Sequence, residues 1–415
     1  MTAREEAAAD PGPVGAVSEA LTRDPRPFYR MLRDTSPVLR INDSTVVVST
    51  WPLVDEVLHS PSLFRTSQDA NDFKNERPLV PLHINPPEHT KFRKILDPLF
   101  SAKKIKSREG SIIAVANRLI DHFIDSAEID FAQAFSIPFP AEVFLTLLGL
   151  PLDELPALLA MKDGMIHPNV GSGKPMGHPE TDAHQKATAR SIYEYFERVI
   201  ADRRLHRRDD LLSWILDAEI DGKGLSHNDI LDISFLCFVA GIDTVEASLD
   251  CFFDYLIRND HMRQAIVEDP SVIPVIVEEL LRWESPAMSV PRQAVVDTEL
   301  GGCPVKAGDR VLLMLGSANT DEASNPNAVA PQLDRKINRH LAFGGGAHHC
   351  LGSHLARTEL RVALEVWHQR IPVYDIKPGT ELTFWLGTRS VETFPMLLHR
   401  RAHGANDERI DRPYA

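Results

Sequence analysis

A glycine-rich turn in this chain runs straight into a cysteine and then into a helix pattern, Phe343-Gly-Gly-Gly-Ala-His-His-Cys-Leu-Gly352. From Leu351 to Ile371 apolar residues recur at helical spacing: Leu355, Ala356, Leu360, Ala363, Leu364 and Trp367. The spacing predicts a helix whose N-terminus lies at or just after Cys350. Free backbone N–H groups and the helix dipole there lower a thiol pKa and favour a thiolate. Gly344, Gly345 and Gly346 let the backbone turn sharply and pass close to a flat cofactor.

Three uses of such a cysteine compete. It is a small buried hydrophobe, a zinc ligand with His348 and His349, or an axial thiolate of haem iron, where it pushes electron density toward O–O cleavage. Adjacent residues on a tight turn converge poorly on one metal, and no CxxC pair supplies further zinc ligands. Phe343, Gly346, His348, Cys350 and Gly352 standing in register make a far more specific signal than the cysteine alone. The segment resembles the haem-binding loop of the cytochromes P450, the haem-thiolate monooxygenases, with His348 at the basic position. The resemblance spans roughly residues 20 to 400. It implies a mainly α fold with small peripheral β-sheets (α+β), a single-domain cytochrome P450 fold, and haem b with thiolate-ligated iron.

At 415 residues and 43% hydrophobic content the chain can bury a large core. Its motifs run from residue 85 to residue 352 and must meet at one site, which favours one large domain, 16–401, between disordered ends at 1–15 and 402–415. A net charge of −14 argues against nucleic-acid binding. The four cysteines, Cys237, Cys251, Cys303 and Cys350, lack paired spacing, as expected in a reducing cytosol. No hydrophobic signal segment occurs in Met1–Gly15 and no run of about 18 apolar residues anywhere, so no membrane span and a cytoplasmic location are expected.

Along the chain, short helices are expected at Pro27–Arg33 and Pro52–Leu58, with a hairpin of Val38–Ile41 and Thr45–Val48 around Asn42-Asp43-Ser44. Ser67–Pro81 reads as a long loop, and Pro87 to about Ile220 as mainly helical. Gly164–Pro179, with four glycines and three prolines, reads as a mobile connection. Asp229–Arg258 and Ile273–Trp283 are helices, Gln293–Leu315 strands, Pro326–Arg339 an irregular meander, and Thr383–Leu398 a closing hairpin.

Ala240-Gly241-Ile242-Asp243-Thr244 interrupts the long apolar helix. An interior glycine costs on the order of 1 kcal/mol against alanine, and Thr244 can bond back to the Ala240 carbonyl and open the helix. An acid beside an alcohol suits a proton relay. The resemblance makes Ala240, Gly241, Asp243 and Thr244 the oxygen-activation motif. Glu279 and Arg282 share a helix face. By the resemblance they are a buried structural lock completed from the meander, with Arg335 or Arg339 as third partner by position.

Haem propionates need cationic partners. His89 and Arg93 share a face of a helix that starts near Pro86-Pro87, in a run resembling the propionate-binding helix of the family; Asn85 stands where that run usually has Asp. Arg292 matches the family's propionate-binding arginine, and His348 fits a further contact. The meander departs from the pattern, with Asn319-Thr320-Asp321 for the usual Asn-Arg-Asp and no Phe near Ala328.

Leu236, Val239 and Ala240 are expected to face the distal pocket, with Met288, Val290, Leu82 and the 67–81 loop around it and Thr388 and Arg389 at the C-terminal hairpin. That wall is largely apolar, so the expected substrate is a small to medium apolar molecule, a terpenoid or aromatic. Arg389 offers instead a place for a substrate carboxylate. The central-helix and haem-loop sequences look similar to bacterial camphor-type terpene hydroxylases. The implied reaction splits O2, inserts one atom into an unactivated C–H bond and releases the other as water. No flavin or nicotinamide fingerprint is present, so electrons are expected from a ferredoxin and ferredoxin reductase. Lys91, Lys94, Lys103, Lys104, Lys106 and Arg108 form a basic cluster suited to an acidic ferredoxin, or simply a solvated face. A peroxygenase driven by H2O2 and a non-catalytic haem-binding sensor are the alternatives; Asp243 and Thr244 argue against both.

Overall fold

The computed structural model describes residues 20–67, 74–220, 222–335 and 338–399. The disorder expected at 1–15 and 402–415 falls outside the described residues, as does part of the 67–81 loop.

The helices that place the site are α1 (Trp51–Leu58), α2 (Glu88–Leu99), α3 (Glu109–Asp121), α4 (Pro138–Leu147), α5 (Leu155–Ile166), α6 (Pro168–Ser172), α7 (Pro179–Leu205), α8 (His227–Arg258), α9 (Ile273–Glu284) and α10 (Ser353–Arg370). Helix α8 is the axis. It starts at a capping box, with Ser226 Oγ accepting from the Asp229 N–H at 3.1 Å and the Asp229 carboxylate accepting from the Ser226 N–H at 3.1 Å. Phe235, Phe238, Ile242, Leu249, Phe252 and Phe253 are fully buried along it. A helix apolar on nearly every side must be wrapped by others; α4, α5, α7, α9 and α10 do this. The aromatic centre is Phe131, Phe135, Phe253 and Trp367, with Trp367 edge-on to the three phenylalanines at 5.0–5.2 Å. Each such side chain contributes roughly 1.5–3 kcal/mol by burial.

The strands are peripheral. β1 (Val38–Asn42) and β2 (Thr45–Val48) form the expected hairpin, its turn closed by the Ser44 N–H on Asn42 Oδ1 at 2.9 Å. With β3 (Phe64–Arg65), β5 (Ser289–Ala294) and β6 (Arg310–Met314) they make one sheet in the order β1-β2-β6-β5-β3, while β4 (Glu128–Asp130), β7 (Tyr374–Ile376) and β8 (Pro395–Leu398) make another in the order β7-β8-β4. Register places Arg292 opposite Val311 on β6.

Two expectations about elements are corrected. Thr383–Leu398 is not a hairpin. Only Pro395–Leu398 is a strand, and it pairs with β7 and β4. Residues 385–390 form a tight turn closed by the Trp385 N–H on the Ser390 carbonyl, and Thr388 bridges to Ala287. A strand finds the partner that buries it best, and here that partner is distant in sequence. Gly164 is not in a loop but inside α5. A Cβ there would lie 2.5 Å from Thr188 Oγ1, so the glycine serves the close approach of α5 to α7. The break comes later, between Ser172 and Pro179.

Asp250, on α8, is fully buried. Its carboxyl accepts from Ser136 Oγ at 2.5 Å and from the Val391 N–H at 3.0 Å, joining three segments. Burial pushes its pKa from 3.8 up to about 7. A carboxyl whose folded pKa is raised favours the fold while protonated, so this contribution is full below about pH 4 and is lost as pH rises toward 7. The expected loss is on the order of 4 kcal/mol. Asp250→Asn is expected to flatten this limb in urea unfolding followed against pH; parallel wild-type and variant profiles would contradict it.

Candidate functional site

The Cys350 loop is closed by its own backbone. The Cys350 N–H donates to the Phe343 carbonyl at 2.9 Å, Gly344 N–H to Leu341 at 2.8 Å, and His349 N–H to Gly346 at 3.2 Å. Phe343 packs on the core cluster and carries the Arg357 guanidinium over its ring at 4.4 Å. Gly346 adopts φ +62°, and a Cβ on it would lie 2.3 Å from the Leu58 carbonyl at the end of α1. The glycine is thus needed for approach to the protein's own backbone as much as to any ligand. Gly346→Ala is expected to cost on the order of 1–3 kcal/mol in backbone strain before the clash is relieved, and to lower the haem content of purified protein; unchanged content and melting temperature would refute this.

Helix α10 starts at Ser353, beyond the cysteine. With no iron bound, burial raises the Cys350 thiol pKa, and the Gly352 N–H partly offsets that. Desolvation acts over the whole sulfur, while the helix dipole falls off within its first turn. A Cβ at Gly352 would lie 3.9 Å from Cys350 Sγ.

Helix α8 leaves one strip uncovered. Leu236, Cys237, Gly241 and Thr244 are half-buried and Ala240 is exposed, in the middle of a helix otherwise buried. These positions follow helical spacing and so share one face. Thr244 Oγ1 donates to the Ala240 carbonyl at 2.9 Å, as expected, yet the helix stays α-helical throughout. Asp243 points the other way, 1% exposed, with neither carboxylate oxygen hydrogen-bonded. Its neighbours are Lys162 Nζ at 3.8 Å and His167 Nε2 at 3.6 Å. Lys162 also contacts Glu246 and Asp163, both at 2.9 Å. Lys162, His167 and Glu246 were not singled out in the sequence. The one local signal was the Lys162-Asp163 pair in the otherwise apolar stretch Leu155–Ile166.

A cluster of basic side chains, two of them histidines whose pKa is lowered by burial, flanks the cysteine loop. The rings of His89 and His348 lie 4.2 Å apart. Arg292 is 6% exposed, and its only acceptor among the described residues is the neighbouring Pro291 carbonyl at 2.8 Å. Burial pulls the Arg292 pKa down to about 10. Burial, then His89 and Arg292, push His348 down to about 3. Arg93 reaches the loop but donates to the His349 carbonyl and Asp97, both at 2.7 Å. A buried guanidinium without an anion is costly. Arg292 with His89 and His348 therefore fits a ligand carrying carboxylates, which haem does. Asn85 bonds Thr66 through both amide atoms, at 3.0 and 2.8 Å, and so fixes the strand beside His348.

Glu279 and Arg282 are fully buried and paired at 2.7 and 2.9 Å. Arg335, not Arg339, is the third partner, at 3.0 Å, joined by Asn338 Nδ2 at 3.0 Å and the Gln332 N–H at 2.9 Å. Arg282 Nη1 also donates to the Asn319 and Ala328 carbonyls at 2.9 and 3.0 Å. Arg339 instead lies over Trp51. Asn319, beside the divergent Thr320, bonds Ser285 Oγ and the Leu341 N–H, tying this segment to the chain just before the cysteine loop.

Among the expected substrate contacts, Leu82, Leu236, Val290 and Thr388 are half-buried. Three are corrected. Val239 is 2% exposed in the cluster of α4 and α7, and Met288 is 5% exposed against Tyr29, Leu32 and Met314. Arg389 is 2% exposed, over the Phe384 ring and 4.0 Å from Glu284. Its Nε makes no hydrogen bond among the described residues, and its burial keeps it from the surface expected to meet substrate.

No helix among the described residues is long and apolar enough to cross a membrane. The family model described as cytochrome P450 matches residues 174–370. Steroid C26-monooxygenase of Mycobacterium tuberculosis is 31% identical over 85% of this chain and 87% of its own. Mycinamicin IV hydroxylase/epoxidase of Micromonospora griseorubida is 32% identical over 83% and 87%. The crystal structure of CYP109E1 from Bacillus megaterium in complex with testosterone superposes with a TM-score of 0.82 at 26% identity, covering 91% of this chain and 99% of that one. With a glycine-braced cysteine loop, an uncovered strip on the central helix and a buried ExxR lock already in place, these relationships make the chain a monooxygenase of the cytochrome P450 family, whose members are haem-thiolate iron enzymes.

Proposed function

We propose that this P450 oxidises a neutral, largely apolar molecule held between the haem and the α8 strip, using electrons from a ferredoxin system. The strip itself carries the reading: Leu236, Cys237, Ala240, Gly241 and Thr244 offer an apolar surface with one hydroxyl and no charge. With Arg389 buried over the Phe384 ring, an acidic substrate has no counter-ion there. Relatives named for steroid and macrolide oxidation extend the range beyond the terpenoids and aromatics expected from the sequence.

In this reading Cys350 ligates the iron, and His89, Arg292, His348 and Arg93 hold the propionates. Bound haem supplies the activation of O2 and the insertion of oxygen into a C–H bond. The protein supplies the rest. The α8 strip orients the substrate and excludes water, Thr244 Oγ1 presents a hydroxyl beside the ligand, and Asp243 holds a proton-exchanging carboxyl one residue before it.

Optical titration of the ferric holoenzyme with steroids, terpenoids, macrolides, aromatic acids and fatty acids tests the substrate class. A saturable shift toward the high-spin Soret position with neutral polycyclic ligands, and none with acids, is expected. Tight binding of the acids alone would overturn the reading.

Charge at the α2 end supports the partner. Lys94, Lys103 and Lys106 are exposed and make no ion pair among the described residues, whereas Lys91 pairs with Glu88, Lys104 lies 3.4 Å over Trp214, and Arg108 pairs with Asp209. Lys103→Glu with Lys106→Glu is expected to lower ferredoxin-driven turnover about tenfold at low salt and to flatten its salt dependence. Wild-type rates and salt dependence in the double variant would exclude docking there.

A further inference from the structure

Behind the α8 strip sits a buried ionic group whose connections to solvent are countable. Asp243 is buried with both oxygens unbonded, and His167 Nε2, at 3.6 Å, is likewise without a partner. Two buried polar atoms left open toward each other are costly, and a shift of well under 1 Å joins them. His167 lies between α5 and α6, as C-cap of one and N-cap of the other. Its ring stacks on Trp385 at 4.8 Å. The His167 side chain is 12% exposed while its Nε2 is buried, so the ring touches solvent on one side and Asp243 on the other. Lys162, also against Asp243, is 2% exposed and already bound to Glu246 and Asp163. The ammonium answers a second buried carboxyl as well, so it cannot neutralise Asp243 alone. The charged groups of the cluster are thus Lys162 and Asp163 from α5, and Asp243 and Glu246 from α8.

We propose that His167 is the positioning residue through which Asp243 exchanges protons with solvent. A proton taken up by the imidazole at its solvent side leaves Nε2 for Asp243 Oδ1, and the carboxylic acid passes it toward the Thr244 hydroxyl. The imidazole returns to neutral and Asp243 to carboxylate, so the charge of the cluster is unchanged over a cycle. Imidazole is suited to this step because it can take up a proton at one ring nitrogen and release one from the other. This inference rests on the monooxygenase reading of Asp243 and Thr244.

The test uses holoenzyme driven by a ferredoxin and its reductase, with a ligand that gives the optical shift above. His167→Phe keeps a ring against Trp385 and removes both nitrogens; His167→Gln keeps a polar group that does not titrate. Product formation and peroxide release are followed against pH in H2O and D2O. Both variants are expected to lose the limb of the pH profile that an imidazole produces, to slow at least about tenfold, and to release more peroxide, while ligand dissociation constants stay within about twofold. Wild-type pH profiles in both variants, with Asp243→Asn still impaired, would overturn the role of His167 alone. If Asp243→Asn and Thr244→Ala also behave as wild type, the assignment of the acid–alcohol pair falls with it.

Discussion

Arg282→Ala is expected to destabilise the protein by about 3–5 kcal/mol, a large part of the 5–15 kcal/mol typical of a folded domain. The change does more than remove one ion pair. Glu279 is fully buried and, among the described residues, keeps only Arg335 as a charged partner, while the Asn319 and Ala328 carbonyls lose their donor. The Ala328 carbonyl belongs to the meander, and Asn319, at the end of a short helix before it, holds the Leu341 N–H just ahead of the cysteine loop. Loss of the guanidinium therefore loosens the loop at a distance. Purified Arg282→Ala should show a lower urea midpoint and little bound haem. Arg282→Lys restores charge but not the planar set of donors, so it should recover only part of the loss. A variant with wild-type midpoint and haem content would show that the buried network contributes nothing net.

Asp243→Asn is expected to lower turnover on the order of a hundredfold, the scale of one lost general acid–base group. Asparagine keeps size and shape, and the carboxylate it replaces makes no hydrogen bond, so folding and ligand binding should hold. Thr244→Ala should instead keep consuming electrons while product falls and peroxide rises, since the alcohol lies on the uncovered strip and the acid behind it. Equal effects of the two substitutions on electron consumption would contradict that division of labour. The Lys162–Glu246 pair predicts a further difference: Asp243→Asn leaves Lys162 facing Glu246 and Asp163 only, so the variant keeps a balanced buried group.

What could be read in advance was local. The cysteine loop, the 32-residue helix α8 and the i,i+3 pairing of Glu279 with Arg282 all lie within short spans, where spacing and side-chain type speak directly. The hairpin around Asn42-Asp43-Ser44 was legible because a turn of this kind sets its own register. What failed depended on distant partners. Strand β8 pairs with β4 more than 260 residues away by sequence number, as with Pro395 opposite Asp130, and no local pattern announces that. Gly164 looked like a loop residue because glycine serves both mobility and close packing, and only the facing Thr188 decides between them. Arg389 sat in the right segment to line a pocket, but it is buried over the Phe384 ring. Arg335 and Arg339 were indistinguishable by position until the meander was folded. Lys162 and His167 reach Asp243 from α5 and its C-terminal cap, and Cys350 was placed just ahead of its helix, while its burial is a property of the whole fold.

The most direct test of the account is the optical spectrum of the dithionite-reduced, carbon-monoxide-bound protein, recorded for wild type and Cys350→His after haem-supplemented expression. The account predicts a wild-type Soret band at the red-shifted position of a thiolate-ligated haem, and a band at the imidazole-ligated position in Cys350→His. A wild-type spectrum of the imidazole type, or no Soret band at all, would contradict it.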